Sequence, residues 1–241
     1  MTFSYTFNKS SGHVDIAEGS TVVPKRTFCD NDLYSVYLPE TIEVIEPFAF
    51  RRSTLQEVEL PESLTRIERG AFASTVFEHV VIPDSVIHIG KDAFAHNWNL
   101  QKLELGDNIT SISNRAFFDS YIQELVVPDS VEYIGSKAFQ RNLMDSLTLG
   151  KSVRTIKKRA FYLNGISDLE LGENIEKIGR DAFKNNKLNY IYIPDSVEDI
   201  GHGAFVRNRI SEVSLPSHFE DNIPYSAFDL GTEFIIRDAV I

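Results

Sequence analysis

A chain of 241 residues with 42% hydrophobic content is too apolar to be disordered and long enough to bury an extensive core. Its 24 Lys and Arg against 35 Asp and Glu give a net charge of -11, which disfavours nucleic acid and anionic membranes and favours a neutral or cationic partner. No apolar run approaches the ~18 residues that span a bilayer, so no membrane insertion is expected, and the single Cys29 excludes an internal disulfide.

The first residues lack the charged region, apolar core and cleavage site of a secretory signal. Phe3, Tyr5 and Phe7 alternate with polar residues, and Val14 and Ile16 follow Asn-Lys-Ser-Ser-Gly, which predicts two strands around a loop. From Ile16 to Phe28 a degenerate coil begins, with Val22, Val23 and Phe28 in place but Ser20 and Thr27 off pattern. Residues 1–31 therefore read as an N-terminal cap and an incomplete first coil, as expected of a terminal repeat.

Residues 32–228 hold nine fuller coils, starting at Leu33, Leu55, Phe77, Leu100, Ile122, Met144, Ile166, Leu188 and Ile210. A phenylalanine marks the beat at Phe28, Phe50, Phe72, Phe94, Phe117, Phe139, Phe161, Phe183, Phe205 and Phe228, in steps of 22 residues with two of 23. Two further apolar columns keep the same phase, one from Leu38 to Leu215 and one from Ile45 to Ile223. A fixed period of this length predicts a solenoid in which each coil stacks on the last. No single coil buries enough apolar surface to fold alone, so the ends need caps.

Within a coil, Leu55-Gln56-Glu57-Val58-Glu59-Leu60 alternates apolar and polar residues, which predicts a strand with Val58 and Leu60 inward. Stacked, these strands make a parallel sheet. Pro-Asp-Ser or Pro-Glu-Ser turns the chain, Ser-Val-x-x-Ile gives a second short extended segment, and Ala-Phe opens a turn too short for a regular helix. The extra residues of the two longer coils fall in Ala95–Asn99 and between Phe219 and Ile223, where outward bulges are expected. Residues 229–241, with Phe234-Ile235-Ile236, should close the C-terminal end as a terminal strand. Residues 1–241 thus read as one solenoid domain.

The pattern Leu-x-x-x-x-Ile-Pro-Asp-Ser-Val-x-x-Ile-Gly-x-x-Ala-Phe, seen in Phe77–Phe94, Ile122–Phe139 and Leu188–Phe205, resembles the BspA-like class of bacterial leucine-rich repeats. The resemblance implies a right-handed leucine-rich-repeat solenoid of about ten coils. It also implies a surface-associated or secreted protein-binding role, no enzymatic activity and no catalytic residues to carry over; no cofactor is expected. The family's Gly-Cys after Ala-Phe is replaced by Asn31, Asn97, Asn142, Asn164, Asn186 and Asn208, with Ser53, Thr75 and Ser120 in other coils. These side chains can bond turn backbone, so an asparagine ladder is expected there.

The outward strand positions are the candidate partner-binding face: Tyr37, Glu57, Glu59, His79, Val81, Lys102, Glu104, Val126, Asp168, Glu170, Tyr190 and Tyr192, flanked by Glu124, Thr148 and Glu212. Aromatic anchors among carboxylates suit an interface core and rim, although each residue is also an ordinary strand former. Tyr190 and Tyr192 form the sharpest pair. The row Glu40, Glu62, Asp84, Asp107, Asp129, Lys151, Glu173 and Asp195 reads first as turn hydrogen bonding. Its rival is calcium, in a calcium- or glycan-dependent adhesion module; a spacer within a larger surface protein is a third reading. Trp98 and the cluster Lys151, Arg154, Lys157, Lys158 and Arg159 read first as local packing and solvated edge, and second as partner contacts. The histidines fall in different columns and no histidine stacks beside Cys29, so enzyme chemistry has little support.

Overall fold

A computed structural model describes residues 3–238, a β-solenoid of about ten coils with almost no helix. Each coil contributes a front strand, a back strand and an Ala-Phe turn. The apolar residues of these three sides meet in a continuous core from Val14 to Phe228.

The back strands are two residues each, from Val22–Val23 to Asp199–Ile200, and form one unbroken nine-stranded parallel sheet. Register is kept one coil apart, as in Ile45↔Ile67 and Ile156↔Ile178, because the isoleucine column must stay inside.

The front strands behave differently. Sequence alternation predicts one continuous front sheet, but the structure divides it into segments of four, five and three strands. Glu57–Val58 does not pair with His79–Val81, and Asp168–Glu170 does not pair with Tyr190–Tyr192. At each opening the inward residue, Val58 or Leu169, is only half-buried, whereas Val36, Val80, Leu125 and Ile191 in the same column are buried. Two or three residues of strand per coil supply few ladder bonds, so the front can open while the other two sides hold the stack.

The third side is a ladder of turns. The N–H groups of Phe50, Phe72 and Phe94 donate to the carbonyls of Ala71, Ala93 and Ala116 one coil on, each at 2.8 Å. To present these bonds, the residues two before and two after the column phenylalanines from Phe28 to Phe205 adopt left-handed backbone, as at Arg115 (φ 60°) and Asp119 (φ 58°) around Phe117. Behind the turns the ten phenyl rings stack, successive centroids lying 5.1–5.5 Å apart.

Both ends of the ring stack are closed. The expected N-terminal strands form an antiparallel hairpin, Tyr5–Asn8 with His13–Ile16, and Tyr5 meets Phe28 edge-on at 4.9 Å. At the other end Glu233–Ile236 adds in parallel to Glu212–Leu215, and Phe234 meets Phe228 edge-on at 5.4 Å. Residues 1, 2 and 239–241, assigned from sequence to the two caps, lie outside the described residues. The second long coil absorbs its extra residue with the short 3-10 turns Ser217–Phe219 and Tyr225–Ala227, and the first exposes Trp98.

Candidate functional site

The front strands carry every outward residue singled out from the sequence, all with exposed side chains: Tyr37, Glu57, Glu59, His79, Val81, Lys102, Glu104, Val126, Asp168, Glu170, Tyr190 and Tyr192. They do not converge on one patch. Strand alternation fixes their direction, and the two openings divide them into three stretches.

The first stretch surrounds the opening beside Glu57–Val58. A groove of about 1190 Å³ is lined there by Tyr37, Glu57, Glu59 and His79, with Glu40 and Glu78. Tyr37 donates its hydroxyl to Glu18 at 2.8 Å, and that bond raises its pKa above the usual tyrosine value.

The middle stretch carries paired charges within and across coils. Lys102 Nζ lies 2.7 Å and His79 Nε2 3.1 Å from Glu104 Oε1, and hydrogen bonding from Lys102 first and His79 second holds Glu104 below the ordinary carboxylate range. Glu104 separates Val81 from Val126 along its row, so the exposed valines do not touch through the sheet register. In the third stretch Tyr190 is 50% exposed, while the Tyr192 ring carries the Arg237 guanidinium at 4.0 Å. Arg237 also donates to Ser214 Oγ at 3.0 Å and the Ile193 carbonyl at 2.7 Å, and pairs with Asp195. One face of Tyr192 is therefore covered by the C-terminal strand, which no feature of the repeat could signal.

Three carboxylates of the acidic turn row serve the backbone. Asp84 accepts the Asp107 N–H at 2.8 Å, Asp129 the Lys151 N–H at 2.9 Å and Glu40 the Glu62 N–H at 3.2 Å. The Lys151 N–H, then its side chain, lowers the Asp129 pKa. Among the described residues no three His, Cys, Asp or Glu are grouped to hold a metal ion. The basic cluster is largely paired between coils: Lys151 with Asp129, Arg154 with Glu176, Arg159 with Asp181, and Lys157 over the Tyr133 ring. Trp98 stays 56% exposed and donates its indole N–H to Asp119 at 3.2 Å.

The asparagine column is structural. Asn142 and Asn186 Nδ2 each donate to two phenylalanine carbonyls, of their own coil and the coil before, at 2.9–3.0 Å. Their Oδ1 atoms accept the N–H of Ile122 and Ile166 at 2.9 and 3.1 Å. Cys29 is half-buried, and burial, then its hydrogen bond to Asp30, raises the thiol pKa away from a reactive thiolate.

Comparison with known proteins agrees with this geometry. No curated protein matches the chain. Among solved structures it is similar to the pneumococcal vaccine antigen PcpA, with 16% identity, 98% of this chain and 86% of that chain covered, and a TM-score of 0.50. A leucine-rich repeat protein of Eubacterium ventriosum shares 19% identity over 85% of this chain and 60% of the other, also at 0.50. The leucine-rich repeat protein of T. pallidum shares 20% identity, with 86% and 87% covered and a TM-score of 0.46. For the two structures at a TM-score of 0.50, identities under 20% make the likeness one of fold. Leucine-rich repeat proteins are generally non-enzymatic interaction scaffolds. Among the described residues no helix is long and apolar enough to cross a membrane. The family model of the BspA-type leucine-rich repeat region matches residues 21–144 and 133–233, and the chain belongs to that family.

Proposed function

We propose that residues 1–241 act as one non-enzymatic protein-binding module of the surface or adhesion type, which engages a neutral or cationic partner through its front strand face. The observation that carries this reading is the run of exposed anchors on that face: Tyr37, Val81, Val126, Tyr190 and Tyr192 are each more than 40% exposed, set among carboxylates. Large exposed side chains in a charged rim supply binding energy and steering respectively. The fold supplies the support, because the inward residues of most front strands, Val36, Val80, Leu103, Leu125, Leu147 and Ile191, are buried in the core.

The test is capture of partners from lysate and surface extract of the source organism, comparing the parent chain with Tyr190→Ala/Tyr192→Ala. Loss of a specific protein with the double variant is the expected result. Equal capture by both removes the C-terminal end of the face from the interface. If neither retains anything, the protein-binding reading gives way to a spacer or glycan-binding role.

A further inference from the structure

The opening beside Glu57–Val58 is more than a missing ladder rung. No backbone hydrogen bond joins residues 56–61 to residues 78–83, although the same two coils remain paired on the other sides. Behind the opening Arg66–Ile67 pairs with His88–Ile89, and at the turns Phe72 N–H donates to Ala93 at 2.8 Å and Ser74 N–H to Ala95 at 2.8 Å. Two strand edges thus face an open groove within the array, with backbone donors and acceptors that have no partner across it. Unpaired edges are templates for another extended chain.

The lining states what kind of chain fits. The floor includes Val58 and Leu60, both half-buried. The rim carries Glu40, Glu57, Glu59, Glu62 and Glu78, and no Lys or Arg is among the lining residues. At about 1190 Å³ the groove exceeds the ~300–1,000 Å³ of small-molecule sites. Its carboxylates do not gather as metal ligands.

We propose that this groove takes an extended cationic segment of a partner protein, bound by strand addition to the exposed edges, with Lys or Arg side chains against the glutamates and alternate apolar side chains over Val58 and Leu60. Alternation matches the site because successive residues of a strand point to opposite faces. The inference rests on the protein-binding reading and narrows it to one end of the face and one class of partner.

The experiment uses a fluorescein-labelled octapeptide alternating Lys and Val, followed by anisotropy on the full chain. Two comparison peptides are a Glu–Val octapeptide and the Lys–Val octapeptide with alternate backbone amides N-methylated, which keeps charge and side chains but removes donors. The variant Glu57→Gln/Glu59→Gln/Glu78→Gln removes charge without changing shape, and circular dichroism confirms its fold. The expected result is at least tenfold weaker binding for the variant and for the N-methylated peptide, no binding of Glu–Val, and slowed amide exchange at residues 57–60 and 79–81 when Lys–Val is bound. Equal binding of the N-methylated peptide means non-specific charge attraction and overturns the proposal. So does absence of Lys–Val binding, or self-association of the chain that the Gln variant abolishes, which would assign the groove to a second copy. Binding lost in Tyr190→Ala/Tyr192→Ala but kept in the Gln variant overturns the groove while leaving the protein-binding reading standing.

Discussion

Leu163 sits two residues after Phe161 in left-handed backbone at φ 57°, with its side chain 42% exposed. A branched residue there bears a strain of ~1–2 kcal/mol, whereas glycine loses only ~0.5–1 kcal/mol of chain entropy. Leu163→Gly is therefore expected to raise stability by about 0.5–1 kcal/mol, read as a higher urea midpoint. A lower midpoint would mean that the Leu163 side chain contributes packing that outweighs the strain. Asp181 shows the opposite dependence, on charge. It is 2% exposed and lies 3.1 Å from Arg159 Nε and 3.3 Å from Lys184 Nζ. Burial alone would raise its pKa, but the hydrogen bonds from Arg159 and Lys184 outweigh burial and lower it. The unfolded group titrates near about 3.9, so its contribution to stability is complete above about pH 4 and is lost as pH falls through the lower folded value. Asp181→Asn keeps a residue tolerant of left-handed backbone; it should cost roughly 1–3 kcal/mol at pH 7 and flatten the acid limb of a stability-versus-pH curve. An unchanged acid limb would assign that limb to other carboxylates such as Asp119.

At the scale of an element, the phenyl column is the feature whose loss cannot be shared out locally. Phe139 is fully buried between Phe117 at 5.2 Å and Phe161 at 5.5 Å. Phe139→Ala leaves a cavity flanked by two rings that are themselves fixed by backbone ladders, and should cost ~3–5 kcal/mol in urea denaturation. Val126→Ala, at 68% exposure on the front strand, should stay within ~0.5 kcal/mol. Similar losses for the two would show that the stack relaxes around the missing ring. The contrast also separates positions that build the coil from positions available to a partner. The asparagine column belongs with the first kind: the amides of Asn142, Asn164, Asn186 and Asn208 bond phenylalanine carbonyls of the coil before and form no chemical site.

For the whole molecule, the three sides of the solenoid are unequal. Back strands and turns run unbroken, while the front sheet is interrupted twice, and the exposed anchors lie on that interrupted side. The acidic row runs along the array, but Glu40, Asp84 and Asp129 bind turn N–H groups, Asp195 pairs with Arg237, and the described carboxylates do not gather around a point. Calcium at millimolar concentration, or its removal by chelator, is accordingly expected to leave the melting temperature unchanged within about 1 °C. A rise with calcium would restore the calcium-dependent adhesion reading, since a ligand bound only by the folded state must stabilise it.

How far the sequence reached can be seen at particular residues. The inward columns of Ile45 and Phe50, the parallel register and the asparagine ladder follow from local chemistry that a period of 22 residues displays many times over, and the strands of the hairpin at Tyr5 from local alternation alone. The left-handed positions two before the column phenylalanine, such as Phe48, Gly70, Asp92 and Arg115, carry no shared residue type, because the turn ladder imposes their backbone rather than the side chain choosing it. Arg237 over Tyr192 joins residues in different elements with no periodic relation, and the opening beside Val58 depends on how two successive coils settle against each other. By itself the sequence determined the coil, its core and its outward face, since burial of each column is decided within one repeat. Only the tertiary structure decided which front strands pair and which outward side chains stay uncovered, because few backbone bonds hold that side and stacking on the other two sets its spacing.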